Sequence, residues 1–227
     1  MRTGGQTGSQ EDKPNRKDAY KLAAPFYDWV IEPFLIPIRK KTEALLAKET
    51  LPAGGLRVLE VACGTGSLAR RLAENGRRVV ALDRSFAMLS EAAKKAGGSG
   101  NVFWQVAGNA AALPFPDGAF DLVVVQLALH EMPGPVRSAA LMEMLRVAAS
   151  GARFLAVDFL PTVGVTVASL MITAAELAAG KRHYRNGRLF LKEGGINALL
   201  AGFGLEILET WPFFAGNVGL VLARKSV

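Results

Sequence analysis

The chain has little of what builds a cross-linked or metal-stapled scaffold. One cysteine, Cys63, stands in 227 residues, so no intrachain disulfide can form, and two histidines beside that cysteine fall short of a structural zinc module. No metal site is read from this count. Tyrosine and tryptophan are scarce, three of each, yet two tyrosines and one tryptophan crowd with two phenylalanines into a short stretch: Tyr20, Phe26, Tyr27, Trp29 and Phe34. The first residues are short of apolar side chains. Residues Met1 to Asp18 are polar and rich in Gly, Gln and Ser, which predicts a disordered tail and a cytoplasmic protein. There is also no run fit to span a bilayer. The nearest, Val163–Ala179, is slightly short and carries Thr166, Ser169, Thr173 and Glu176. Its larger apolar residues, Val163, Val167, Leu170, Met171, Ala174, Leu177 and Ala178, recur at helical spacing and predict an amphipathic helix on a core. Acidic residues are the minority charge, 20 against 27 basic, and the resulting +7 favours anionic partners: nucleic acid, phosphate-bearing molecules or an anionic membrane face.

What is present is apolar. Half the residues (50%) are hydrophobic, enough for one buried core in a chain of this length. Residues Ala19 to Leu51 read as helical, broken by Pro25, Pro33 and Pro37. Beyond them, short apolar runs alternate with helical patterns. Strands are predicted at Leu56–Ala62, Val79–Asp83, Val102–Ala107, Phe120–Leu129 and Arg153–Phe159. Helices are predicted at Ser67–Asn75, Phe86–Ala96 and Pro135–Ala148. Two final strands, Leu205–Trp211 and Asn217–Arg224, are separated by a turn too short for a helix and should pair antiparallel. The pattern predicts an α/β fold: a doubly wound seven-stranded sheet, mostly parallel, with a C-terminal antiparallel hairpin and helices on both faces. The expected organisation is an N-terminal helical cap (19–51) and one domain (52–227) holding a cap insertion at about 160–203.

Ligands of such sheets bind at the C-terminal ends of the strands, where strand order switches. The first strand runs into Glu60-Val61-Ala62-Cys63-Gly64-Thr65-Gly66, where Gly64 and Gly66 permit a tight turn close to a ligand. The second strand ends in Asp83, 17 residues past Gly66, placed to accept from ribose hydroxyls. Gly64-x-Gly66-x-x-Ala69 also fits a dinucleotide fingerprint, the mark of a nicotinamide-dependent oxidoreductase. Glu60 argues against that, because a carboxylate beside the loop would repel a pyrophosphate. It suits a ligand bearing an ammonium group and a sulfonium.

Several ordered motifs carry a resemblance. Val58-Leu59-Glu60-Val61-Ala62-Cys63-Gly64-Thr65-Gly66 resembles motif I of class I S-adenosylmethionine-dependent methyltransferases. Val80-Ala81-Leu82-Asp83 resembles the second motif, and Gly108-Asn109-Ala110-Ala111-Ala112-Leu113-Pro114-Phe115 the loop after strand three. Phe120–Val125 and Glu143–Val147 resemble strand four and its helix. Within the superfamily the chain is most similar to the type 11 group, which includes quinone-biosynthesis methyltransferases, and Tyr27-Asp28 also resembles the N-terminal segment of some phospholipid N-methyltransferases. The resemblance implies a Rossmann-like fold, S-adenosyl-L-methionine as cofactor and S-adenosyl-L-homocysteine as product. It implies that Glu60, Ala62, Gly64 and Gly66 hold the methionine part and that Asp83 binds the ribose. Arg84 and Met88 would flank the adenine, Asn109 and Ala110 would meet its edge, and Gln126 would line the floor near the sulfonium. Two positions depart from the pattern: Ala62 stands where glycine is common, and Asn109 replaces the usual Asp.

The acceptor is less legible. Methyl transfer is an in-line displacement needing a base only where the nucleophile must lose a proton. His130, in Leu129-His130-Glu131-Met132, is the candidate base, facing the substrate, with Glu131 either orienting it or pointing to solvent. Strand four runs on through Gln126-Leu127-Ala128-Leu129-His130, unlike the ending of DNA amine methyltransferases, so no DNA partner is expected. Lys181, Arg182, Arg185, Arg188 and Lys192, interleaved with His183, Tyr184 and Phe190, predict a basic cover over the pocket. Tyr20, Tyr27, His130, Arg182, Tyr184 and Arg185 are the candidate substrate residues. The expected acceptor is a small or amphipathic, lipid-like and anionic molecule, met with peripheral membrane contact. The alternatives are an RNA methyltransferase and a non-catalytic cofactor-binding protein.

Overall fold

A computed structural model describes residues 18, 20–47, 55–96, 103–162 and 164–226. The expected tail up to residue 17, together with Leu51, Val102 and Val163 at predicted element ends, lies outside the described residues.

The chain opens with α1 (Ala24–Leu46). An α/β series follows: β1 (Arg57–Val61), α2 (Ser67–Glu74), β2 (Arg78–Asp83), α3 (Phe86–Ala96), β3 (Trp104–Ala107), β4 (Phe120–Gln126), α4 (Gly134–Val147) and β5 (Ala148–Phe159). Three helices come next, α5 (Val167–Ala178), α6 (Lys181–Lys192) and α7 (Gly195–Gly202), before the hairpin β6 (Leu205–Phe213) and β7 (Val218–Lys225). The seven strands form one sheet in the order β3-β2-β1-β4-β5-β7-β6. Strands β1 to β5 pair in parallel, and β7 inserts antiparallel between β5 and β6. The expected fold is therefore the observed one. Leu59, Val123, Leu155 and Leu220 carry the core through β1, β4, β5 and β7, all essentially inaccessible. Continuous apolar runs such as Leu122–Val125 suit strands covered on both faces.

Three differences from the sequence reading have local causes. First, α1 is not broken by its prolines. Pro25 sits in the first turn, where its missing N–H costs nothing. Pro33 and Pro37 lie one helical turn apart on the exposed side, and the helix continues through both without the hydrogen bonds their missing N–H groups would have given. Second, β4 stops at Gln126 rather than Leu129, because Leu127 turns left-handed with φ +48°. Third, the basic stretch after α5 is itself a helix, α6, anchored by buried Asn186, Gly187 and Phe190. Helix α5 begins at Val167 because Thr166 and Ser169 form a reciprocal capping box.

Candidate active site

The switch in strand order falls between β1 and β4, which leave the centre in opposite directions. The loop leaving β1 is built from positive-φ residues: Ala62 at +55°, Gly64 at +56° and Gly66 at +68°. Ala62 thus takes the left-handed conformation a glycine would take there, at a cost of about 1–2 kcal/mol. Gly66 has no room for a side chain either, since a Cβ would stand 2.8 Å from the Phe103 ring. At Gly64 a Cβ would meet nothing within 4 Å, so this side of the loop is open.

Asp83, at the end of β2, is buried and ties the loop from below. Its carboxylate accepts from the Gly64 amide at 2.8 Å and the Ser85 amide at 2.8 Å. Burial outweighs these bonds and raises its pKa above the ordinary value. Glu60, on β1, is 3% exposed, and its Oε2 has no hydrogen-bond partner. Desolvation pushes its pKa up to about 8, against the opposing pull of Arg39 and the Ala69 amide. Gln126, at the end of β4, likewise has a buried Nε2 without a partner. A buried carboxylate oxygen and a buried amide nitrogen, each unpartnered at the loop's strand ends, can receive a ligand that offers a cationic donor to the one and an acceptor to the other.

The remaining expected cofactor residues follow the strand ends. Arg84 is exposed and Met88 buried at the start of α3. Asn109 is exposed, and its Oδ1 accepts from the Ala111 amide at 3.1 Å, an Asx turn that shapes the loop. Ala110 is half-buried beside it.

The N-terminal segment closes over this edge. Asp28 on α1 accepts from the Thr65 hydroxyl in the glycine loop and pairs with Lys95 of α3, whose ammonium also reaches the Ser67 hydroxyl at 3.2 Å. Asp18 accepts from the Ser85 hydroxyl and from the Ala87 amide at 3.0 Å. Tyr20 donates from its hydroxyl to Glu131 Oε2 at 2.7 Å and meets Tyr27 edge-on, with ring centroids 6.4 Å apart. Burial raises the Tyr27 hydroxyl to about 12, keeping it neutral. Two of the expected substrate tyrosines thus stand together at the site.

His130 lies in the turn after β4 and is buried at 3% exposure. Its orienter is Asp158 of β5, not Glu131: His130 Nδ1 lies 2.6 Å from Asp158 Oδ1. Asp158 also accepts from the amides of Leu129, His130 and Phe159, so its position is fully determined. The imidazole stacks on Phe159 at 4.2 Å. Its Nε2 faces Glu176 Oε1 of α5 at 3.5 Å, and His183 of α6 places its own Nε2 2.9 Å from the same oxygen. Burial disfavours charge on His130, but the flanking Asp158 and Glu176 win and push its pKa up to about 10. No sequence motif points to Asp158, Glu176 and His183 as site residues. The signal available was the scarcity of histidine: both of the chain's histidines meet here.

The basic cover is divided. Arg182 and Arg185 face solvent on α6, while Tyr184 is half-buried. Arg188 and Lys192 instead line a cavity of about 420 Å³ with Phe159, Leu160, Leu170 and Leu191. Its wall shares Phe159 with the His130 stack.

Comparison with known proteins matches residues 58–151 to a family described as a methyltransferase domain. A demethylmenaquinone methyltransferase of Renibacterium salmoninarum is 34% identical over 142 residues, 62% of this chain and 57% of that one. The ubiquinone/menaquinone biosynthesis C-methyltransferase UbiE of an Enterobacter species is 30% identical over 200 residues, covering 75% of this chain and 76% of that one. The chain spans only about half the length of several curated relatives, 46% for the UbiE protein of Methylobacterium nodulans. Among solved structures, the magnesium protoporphyrin IX methyltransferase of Synechocystis, with bound S-adenosylhomocysteine, superposes with a TM-score of 0.67 at 22% identity, over 92% of this chain and 98% of that one. That likeness is one of fold. With the glycine loop, the strand-end acid and the sheet order in place, the sequence relationship is decisive: the chain belongs to the class I S-adenosylmethionine-dependent methyltransferase family.

Proposed function

We propose that this protein transfers a methyl group from S-adenosylmethionine to a lipid-like aromatic acceptor of the quinol type. The observation that carries the cofactor half is Glu60, a buried carboxylate with an unpartnered oxygen beside an open glycine loop. An α-ammonium group is the partner such an oxygen needs. Asp83, held by two backbone amides, is left to accept from ribose hydroxyls, and the Gln126 amide nitrogen to meet the methionine end. These residues fit the cofactor. Bound there, S-adenosylmethionine supplies a methyl group on a sulfonium.

The chain's own work is to position the acceptor for in-line attack and to exclude water. Tyr20 and Tyr27 cover the strand ends, and Asp28 clamps α1 onto Thr65 of the cofactor loop. His130, fixed by Asp158 in the turn after β4, is the side chain this reading puts beside the acceptor. The cavity beside Phe159 is lined by apolar residues such as Leu160, Leu170 and Leu191 together with Arg188, Lys192 and Asn217, a mixed lining that suits an amphipathic molecule. Apolar side chains exposed on α1 and α5, Trp29 and Val167 among them, with the basic face of α6, support contact with a membrane surface where such an acceptor resides. Relatives named for demethylmenaquinone and ubiquinone/menaquinone methylation favour a quinol over a small amine. Among the described residues no helix is long and apolar enough to cross a membrane.

The test is S-adenosylhomocysteine release by the purified chain with demethylmenaquinol, simple phenols, lipid amines and RNA offered separately. Turnover confined to the quinol is the expected result. Turnover with another class, or cofactor binding without turnover on any, overturns the acceptor assignment.

A further inference from the structure

The sequence reading assigned no metal, because two histidines are too few for a structural zinc module. The tertiary structure brings both histidines to one carboxylate. His130 Nε2 lies 3.5 Å and His183 Nε2 2.9 Å from Glu176 Oε1, and the three donor atoms all fall within 4.8 Å of one another. Ligands on a metal with bonds of about 2.1 Å are separated by roughly 3.0–3.4 Å in octahedral or tetrahedral geometry. Two of the three edges are already close to those lengths.

The surroundings are those of a ligand set. Each imidazole turns Nε2 towards Glu176 and has a carboxylate behind Nδ1. Asp158 Oδ1 lies 2.6 Å from His130 Nδ1, and Glu131 Oε2 lies 3.9 Å from His183 Nδ1. At His130 the carboxylate is within hydrogen-bond distance and fixes the tautomer that leaves Nε2 free to ligate, whereas at His183 it stands beyond that distance. Glu131 is itself held by the Tyr20 hydroxyl, and its backbone carbonyl accepts from Asn186 at 2.6 Å. Glu176 is 9% exposed, and its second oxygen, Oε2, is buried without a partner. Gly187 packs directly against this oxygen: a Cβ there would stand 2.6 Å from Oε2, and the Glu176 carboxylate would have to shift.

We propose that His130, Glu176 and His183 bind one divalent first-row transition-metal ion through two imidazoles and one carboxylate. The ion's charge balances the three acids that surround it, Asp158, Glu176 and Glu131. Two nitrogen donors favour Zn²⁺, Co²⁺, Fe²⁺ or Ni²⁺ over Mg²⁺ and Ca²⁺. Three protein ligands leave a position open to water or to an oxygen of another molecule. The proposal does not depend on the methyl-transfer reading, because ion binding is measured without cofactor or acceptor.

The test uses the untagged full chain, dialysed against a chelator and titrated with Zn²⁺ by calorimetry and with Co²⁺ by visible absorption. The expected result is one ion per chain, undisturbed by excess Mg²⁺. Glu176→Gln and His183→Ala should each weaken Zn²⁺ by at least tenfold, and Asp158→Asn, which leaves all three ligands in place, by about ten- to a hundredfold. No stoichiometric Zn²⁺ or Co²⁺ binding overturns the proposal and makes the cluster a proton-linked ion pair. Binding unchanged in folded Glu176→Gln and His183→Ala also overturns it. Melting curves report whether each variant folds. Should the variants unfold, the wild-type Co²⁺ spectrum decides. Ligand-field bands without thiolate charge transfer support the site, and a thiolate band, which only Cys63 could give, refutes it.

Discussion

Replacing Glu60 by glutamine tests how the cofactor loop reads charge. In the free protein, burial holds the Glu60 carboxyl at about 8, so it is mostly protonated at neutral pH. A cationic ligand needs the ionised form. With that pKa, the ionised fraction is roughly 1% at pH 6 and about a quarter at pH 7.5, so affinity for S-adenosylhomocysteine should rise about 20-fold across this interval. Binding at pH 7 should then release close to one proton, seen as a dependence of calorimetric enthalpy on the ionisation enthalpy of the buffer. Glu60→Gln abolishes that release and flattens the pH dependence, leaving only what Asp83 and other groups contribute. The stability consequence has the opposite pH sense. A carboxyl raised above its ordinary 4.5 favours the folded state while protonated, and that advantage fades as pH rises through about 8. Glu60→Gln should therefore lose less melting temperature between pH 6 and pH 9 than the native chain. Equal pH dependence of ligand affinity in both proteins would refute the assignment of Glu60 to the ammonium.

Other outcomes follow from the same geometry. Gly66→Ala should lower stability by ~2–4 kcal/mol through left-handed strain plus the clash with Phe103, whereas Gly64→Ala pays the strain alone, ~1–2 kcal/mol; thermal unfolding of the pair separates the two. Asp28→Asn should weaken cofactor binding a few-fold with little change in unfolding, because it releases α1 from Thr65 and Lys95 through half-exposed pairs worth about 1 kcal/mol or less; equilibrium dialysis checks it. Arg182→Ala with Arg185→Ala should raise the KM for the quinol and leave cofactor affinity alone, and unchanged kinetics would assign both to a solvated helix face.

The legible parts were those set by local chemistry. The Leu122–Val125 run marks a strand buried on both faces whatever surrounds it. Gly64 and Gly66 mark a left-handed loop because other residues resist that conformation, and Asp83 follows at the end of the next strand. Less legible was α1, where local rules about proline predicted breaks. Pro33 and Pro37 both sit on the exposed side of the helix, and which side is exposed is a tertiary matter.

His130 was legible as a residue at the sheet edge, but its company was not. Its carboxylate partner comes from β5, 28 residues on, and Glu176 and His183 from two helices that fold back over Phe159. Their ligand spacing is not periodic along the chain, so no motif announces it. By itself, then, the sequence determined the sheet, the cofactor loop and the family, because each rests on backbone conformation and hydrophobic period within a few residues. The tertiary structure alone decided which acids stand behind which histidines. That pairing depends on how α5 and α6 pack against β5, a long-range contact that local propensity does not encode.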